Sequence, residues 1–255
     1  VTGAIHPKAQ AFGPAAEDYA AGRPDYPHAL RAWLAEALGL GADRRVIELG
    51  AGTGKFTPLL IATGAEVLAV EPVAGMRARL AGLAGVTAVE GTASAIPAPD
   101  GWADAVVSAQ AFHWFATSEA LNEIARVLRP GARLGLVWNA TDDRSPWAAR
   151  IRRIIAAHEG DSPRHASGEW RSAFPHPAFG PLHETRFDHG HTGPPEQVIV
   201  QRMTSISYIA ALAPAERAKV VETVRALIAA ESELAGRTEV TVPYETRAYW
   251  TERHG

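Results

Sequence analysis

Apolar positions along this chain fall into two rhythms that alternate. Residues 29–38 place Leu30, Trp33, Leu34, Ala37 and Leu38 at the i, i+3, i+4 spacing of an amphipathic helix, closed by Gly39 and Gly41. The period then shortens. Residues 45–50, 66–71, 86–90, 103–108 and 133–139 are short apolar runs of strand character, separated by helical stretches at 56–63, 76–83 and 118–128. Strands alternating with helices predict a parallel sheet covered on both faces. Residues 10–43 read as helical and irregular, with Phe12, Tyr19 and Tyr26 interleaved with Arg23-Pro24 and Pro27. Beyond Asn139 the pattern loosens: a helix over 147–158, a Pro-, Gly-, Ser- and His-rich loop over 160–181, and an exposed strand over 183–191. Residues 195–212 read as mainly helical. A helix over 214–234 carries the core stripe Val220, Val221, Val224, Leu227 and Ile228, and a last strand or hairpin flanks Pro243.

Composition narrows the classes. The 255 residues are 47% hydrophobic and 21% charged, as in ordinary globular proteins, and suggest one α/β domain. There is no cysteine, which removes thiolate nucleophiles and Cys-based zinc sites and fits a reducing compartment. A net charge of −3 without a basic block argues against nucleic acid as a main partner. No apolar run approaches the ~18 residues of a membrane span. The first residues lack both an apolar signal core and a Met, and the expected location is the cytoplasm. His189 and His191 share one face of their strand with His183 nearby, but only Asp188 accompanies them, so this is read as a surface strand and no metal is expected. A monomer or a homodimer fits equally.

The chemistry is carried by Glu48-Leu49-Gly50-Ala51-Gly52-Thr53-Gly54-Lys55, where the first strand ends and the next helix begins. Glycines there let the backbone turn sharply and approach a ligand, and the helix start offers unpaired N–H groups. A dinucleotide fingerprint would need Gly or Ala where Lys55 stands. A phosphate loop would need Gly at position 49 and Ser or Thr at 56, which hold Leu and Phe. The pattern acidic-x-Gly-x-Gly-x-Gly fits, and it resembles motif I of the class I S-adenosylmethionine-dependent methyltransferases. Glu71 closes the second strand near the ~20-residue spacing of a ribose-binding acid, where a carboxylate accepts bonds from both sugar hydroxyls.

Further segments resemble the methyltransferase type 11 group, which includes trans-aconitate methyltransferase-like enzymes. They are Tyr19-x-x-x-Arg23-Pro24-x-Tyr26-Pro27, Gly91-Thr92-Ala93-Ser94-Ala95-Ile96-Pro97, Ala111-Phe112-His113-Trp114-Phe115, Leu128-Arg129-Pro130-Gly131 and Val242-Pro243-Tyr244-x-Thr246. The resemblance implies a Rossmann-like, mostly parallel seven-stranded sheet with helices on both faces and an antiparallel final strand. It implies one methyltransferase domain over 1–255: an N-terminal helical lid over 10–43, a cofactor-binding core over 44–140, and C-terminal helices and last strands over 141–255. S-adenosylmethionine would be held by Glu48, Gly50, Ala51, Gly52, Thr53, Gly54, Glu71, Pro72, Met76, Thr92, Ala93, Ala109 and Gln110, with Tyr19 and Arg23 from the lid. Thr92 stands where the family often has an adenine-binding Asp. The methyl acceptor, a small molecule reacting through an oxygen, would meet Tyr26, Phe112, Trp114, Trp138 and Asn139, with His113 as the candidate base. A nicotinamide-dependent oxidoreductase and a non-catalytic S-adenosylmethionine-binding protein remain as alternatives.

Overall fold

The computed structural model describes residues 23–160 and 163–255. Tyr19 and the remainder of the expected lid up to residue 22 lie outside them. The described chain contains α1 (Leu30–Leu38), β1 (Arg45–Leu49), α2 (Thr57–Ile61), β2 (Glu66–Val70), α3 (Ala74–Leu80), β3 (Val86–Val89), β4 (Ala103–Ala109), α4 (Ser118–Val127) and β5 (Leu128–Thr141). It continues with α5 (Pro146–Ala156), β6 (His183–Gly193), α6 (Pro214–Ala230) and β7 (Val240–Glu252).

The strands form one seven-stranded sheet in the order β3-β2-β1-β4-β5-β7-β6. β1 pairs in parallel with β2 and β4, and β4 with β5. β7 enters between β5 and β6, antiparallel to both, so it alone is reversed. The sheet is Rossmann-like, as the resemblance implied. The two faces follow from side-chain alternation. Val46, Val67, Ala105, Val107 and Val137 meet α1 and α2, whereas Ile47, Leu49, Val106, Leu136 and Trp138 meet α4. Burial on both faces is why β1 and β4 read as continuous apolar runs rather than as alternating ones. β6 is the edge strand, and its alternating exposure matches its sequence pattern. A third cluster joins α5, α6 and β7 through Trp147, Ile151, Val198, Ile199, Val224, Val242 and Tyr244.

Three local differences from the sequence pattern have physical causes. The Pro130-Gly131 turn lies inside the pairing span of β5: Leu128 faces Ala103, Arg133 faces Ala105, and the residues between bulge outward with Gly131 at φ +74°. Pro243 does not split a hairpin but sits within β7, where its carbonyl accepts the N–H of Asp142 at 2.9 Å. The helical segment after Pro195 is broken into a π-helical run, Glu196–Gln201, and the short turns Arg202–Thr204 and Ser207–Ala210. Val198, Ile199 and Val200 are all buried, and a wider turn gathers three consecutive side chains on a narrower arc. The loop over 160–181 also contributes more to the core than its composition suggests, because Trp170 packs against Trp138 and Tyr249 there.

Candidate active site

Strand order reverses between β1 and β4, and the site lies at the carboxyl ends of these strands, where open α/β sheets bind ligands. Three glycines turn the chain out of β1, with Gly50 at φ +67°, Gly52 at φ +61° and Gly54 at φ +86°. A Cβ on Gly50 would come within 2.7 Å of the Ala111 methyl, so this glycine is required for packing as well as for its turn. At Gly52 the same Cβ would meet nothing nearer than the Met76 sulfur at 4.0 Å. The backbone at Gly52 is therefore bare toward open space, a cradle that any side chain would fill.

That space is a cavity of about 320 Å³. Its lining includes every expected cofactor residue of the core except Gly54: Glu48, Gly50, Ala51, Gly52, Thr53, Glu71, Pro72, Met76, Thr92, Ala93, Ala109 and Gln110. Gly54 instead backs the loop, its Cα side closed by Leu83 and Leu80.

Glu71 is 4% exposed and borders the cavity, but its oxygens already serve the backbone. Oε2 accepts the N–H of Gly52 at 2.8 Å and Oε1 that of Val73 at 2.9 Å. Glu71 thus holds the glycine loop against the end of β2, and each oxygen keeps a second acceptor position. Burial raises its pKa, opposed by these two bonds and by Arg77. Glu48 is buried, and its Oε2 accepts the hydroxyl of Thr57 at 2.7 Å. Burial lifts its pKa to about 8; the Thr57 bond works against this and the nearby Glu71 charge adds to it. At neutral pH Glu48 is mainly protonated.

The remaining walls come from four segments. Thr92, Ala93 and Ser94 sit in a turn closed by the N–H of Thr92 on the carbonyl of Ala95 at 3.3 Å. Gln110 leaves β4 at φ +60°, a costly conformation for a side chain with a Cβ. Bonds from its N–H to Val137 (2.8 Å) and from its Nε2 to the Asn139 carbonyl (3.2 Å) hold it there. The N-terminal end of α4 closes one side with Thr117, Glu119 and Ala120. Across the mouth run residues 23–26. Lys55 pairs with Asp25 at 2.6 Å, Asn139 Nδ2 donates to the Asp25 carbonyl at 3.2 Å, and Arg23 donates to the Ser205 carbonyl at 3.1 Å. Tyr26 lies edge-on to Phe56, their centroids 4.8 Å apart.

A second cavity, of about 510 Å³, adjoins the first and shares Arg23, Gln110, Trp114, Asn139 and Arg202 with it. Trp138 and His113 line this second space. Trp138 Nε1 donates to His113 Nδ1 at 3.1 Å, which leaves the neutral ring's proton on Nε2. Burial, then the charges of His165 and Arg23, lowers the His113 pKa to about 3. Such a ring is a weak proton acceptor, which counts against the expected base. Phe112 corrects the sequence expectation. It is fully buried beneath the site against Phe115, Trp170 and Phe174 and lines neither cavity; Phe115 takes the wall position instead.

Sequence reasoning missed Thr57, Lys55 and Arg202. Thr57 and Lys55 flank the loop and were legible only as helix start and loop end. Arg202 lies in a segment whose sequence shows no motif at all.

The family described as "Methyltransferase domain" matches residues 47–136, the span from β1 into β5. An uncharacterized methyltransferase-like protein of Schizosaccharomyces pombe is 35% identical over 92% of this chain and 93% of its own length. An uncharacterized methyltransferase of Mycobacterium tuberculosis is 39% identical over 92% of each chain. A solved structure from Anaeromyxobacter dehalogenans that carries the name type II methyltransferase has the same fold, with a TM-score of 0.70 at 22% identity over 91% of this chain and 97% of that one. These relationships displace the oxidoreductase alternative: the chain belongs to the class I S-adenosylmethionine-dependent methyltransferases.

Proposed function

We propose that this methyltransferase holds its cofactor in the first cavity and methylates an oxygen, carboxylate or hydroxyl, of a small molecule seated in the second. The observation that carries this reading is the bare Gly52 backbone beside Glu71, in a cavity that opens onto another of substrate size. Bound S-adenosylmethionine supplies an activated methyl group on a sulfonium.

The chain's own work is positioning and exclusion of water. The amides of residues 50–54 face the methionine portion. The second acceptor positions of Glu71 take the ribose hydroxyls, Met76 packs beside the nucleoside, and Thr92 and Ala93 edge the adenine. Arg23 belongs to the amino-acid end, where a guanidinium neutralises the carboxylate. At the shared wall, Gln110, Trp114 and Asn139 orient the acceptor against the methyl, with Tyr26 covering the mouth and Trp138 deeper in the second space. With S-adenosylmethionine bound, a lone pair of the acceptor oxygen would form the new C–O bond as the carbon–sulfur bond breaks with its pair kept on sulfur, and a hydroxyl acceptor would give its proton to solvent water. A carboxylate has no proton to lose, which agrees with His113 acting as a neutral acceptor that fixes the Trp138 indole N–H rather than as a base.

The test is calorimetry with S-adenosylhomocysteine followed by transfer of isotopically labelled methyl to a panel of acids, alcohols and amines. Binding of the cofactor product with labelling of oxygen acceptors is expected. Labelling restricted to amines, or no cofactor binding at millimolar ligand, overturns the reading.

A further inference from the structure

Five guanidinium groups line the second cavity, and they differ in what compensates them. Arg152 pairs with Asp143 at 2.7 Å, Arg247 with Glu245 at 2.5 Å, and Arg164 with Glu159. Arg23 reaches the shared wall from the N-terminal strap, and the reading above gives it the cofactor's carboxylate. Arg202 is the exception. The residue is partly buried, and its Nε and Nη1 find no hydrogen-bond partner among the described residues; the Nε of Arg23 and of Arg164 also lack one, but those guanidinium groups make contacts through their other nitrogens. It stands where both cavities meet, on the first residue after the π-helical run. The burial of Val198, Ile199 and Val200 fixes that run, so Arg202 does not hold its place through a salt bridge of its own.

Guanidinium nitrogens buried without an acceptor are costly, and folding normally supplies a partner for them. A site that leaves one guanidinium uncompensated is matched to a ligand bearing a negative charge. The other surfaces of the same space restrict the rest of that ligand. Trp138, Trp147, Ile151, Met203 and Tyr244 give it aromatic and aliphatic walls. One open cation among paired ones balances a single negative charge, and the walls are mixed, with Thr141, His165 and Tyr208 beside the apolar side chains, so they accommodate an apolar body at one side of the space.

Resting on the placement of the acceptor in the second cavity, we infer that the acceptor is an amphiphilic organic monocarboxylate with an aromatic or aliphatic body, and that Arg202 selects it by binding its carboxylate. Arg202 is then a specificity-determining residue of the acceptor site, on the wall that this site shares with the cofactor cavity.

The experiment uses the full chain saturated with S-adenosylhomocysteine and matched acid and amide pairs: phenylacetate and phenylacetamide, cinnamate and cinnamamide, hexanoate and hexanamide. Calorimetry is expected to show at least one acid bound about tenfold or more tightly than its amide, the scale of one charge-assisted hydrogen-bonded contact. Arg202→Gln abolishes that preference and Arg202→Lys keeps part of it, while affinity for S-adenosylhomocysteine stays within about twofold. Equal binding of acid and amide in every pair, or no binding of any acid, overturns the inference on the wild-type protein alone. Retained acid preference in Arg202→Gln also overturns it. Lost S-adenosylhomocysteine affinity with acid binding intact reassigns Arg202 to the cofactor and overturns it as well. Failure of the wild-type chain to bind S-adenosylhomocysteine would instead strike the function proposed above, so the two failures are told apart.

Discussion

At the scale of single residues, the site depends on one bare peptide and two buried carboxyl groups whose pKa values burial raises. Gly52→Val puts a branched side chain at φ +61° into the cavity. The left-handed conformation costs about 1–2 kcal/mol, too little to unfold a domain, while the side chain occupies ligand space. Circular dichroism should therefore stay native while S-adenosylhomocysteine binding is lost. Glu71→Ala removes the acceptor for the Gly52 and Val73 amides, and with it the ribose contact proposed above. Calorimetry should show cofactor affinity weakened by about 1.5–3 kcal/mol. Glu48 governs pH dependence. Its folded pKa of about 8 lies above the ordinary 4.5, so between these values the folded state holds a proton that the unfolded state lacks. Stability from this group falls as pH rises through that window. His113 and His165, lowered to about 3 and about 4 from 6.5, act in the opposite sense below pH 6.5. Among these three groups only Glu48 still titrates between pH 6.5 and 8, and Glu48→Gln should remove a decline of about 1–2 kcal/mol there in urea unfolding. The acid, the glycines and Glu71 were legible in sequence because spacing along one strand–loop–helix unit carries them. Protonation of Glu48 was not, because desolvation depends on what packs around it.

At the scale of elements, α4 shows how a helix end serves both fold and site. Thr117 accepts the Ala120 N–H at 3.2 Å, and the first turn of α4 lines the cofactor cavity. Thr117→Ala should lower unfolding free energy by about 1 kcal/mol, read as a shift in melting temperature. The helix was plain in sequence from its apolar stripe. The π-helical run was not, since periodicity registers a helix but not its pitch, and burial of three successive β-branched residues sets that pitch. Phe112 shows the same limit: the resemblance placed it in the acceptor pocket, and the short 3₁₀ turn Phe112–Trp114 sends neighbouring side chains in different directions.

At the scale of the molecule, β7 is the clasp. It pairs along β5 from Arg133 to Thr141 and along the whole of β6, and its Ala248 and Tyr249 enter the two core faces. Deletion of residues 240–255 would unpair β6 and bare both core faces beside β5. The truncated chain should fail to give the native near-ultraviolet dichroism or a cooperative thermal transition. The C-terminal elements also close the second cavity, with Val198, Ile199 and Met203 facing Trp147 and Tyr244. The second cavity is thus assembled from segments distant in sequence, whereas most of the first is lined from within residues 48–120.

Sequence by itself determined the parallel core, the glycine turn and the acid that follows it, because hydrophobic period and short-range spacing are local properties of the chain. Tertiary structure alone decided that Glu48 keeps its proton at neutral pH, which rings of the Phe112–Trp114 turn are buried, and that Arg202 has no ion pair among the described residues. Each of those depends on desolvation and on neighbours brought together by folding.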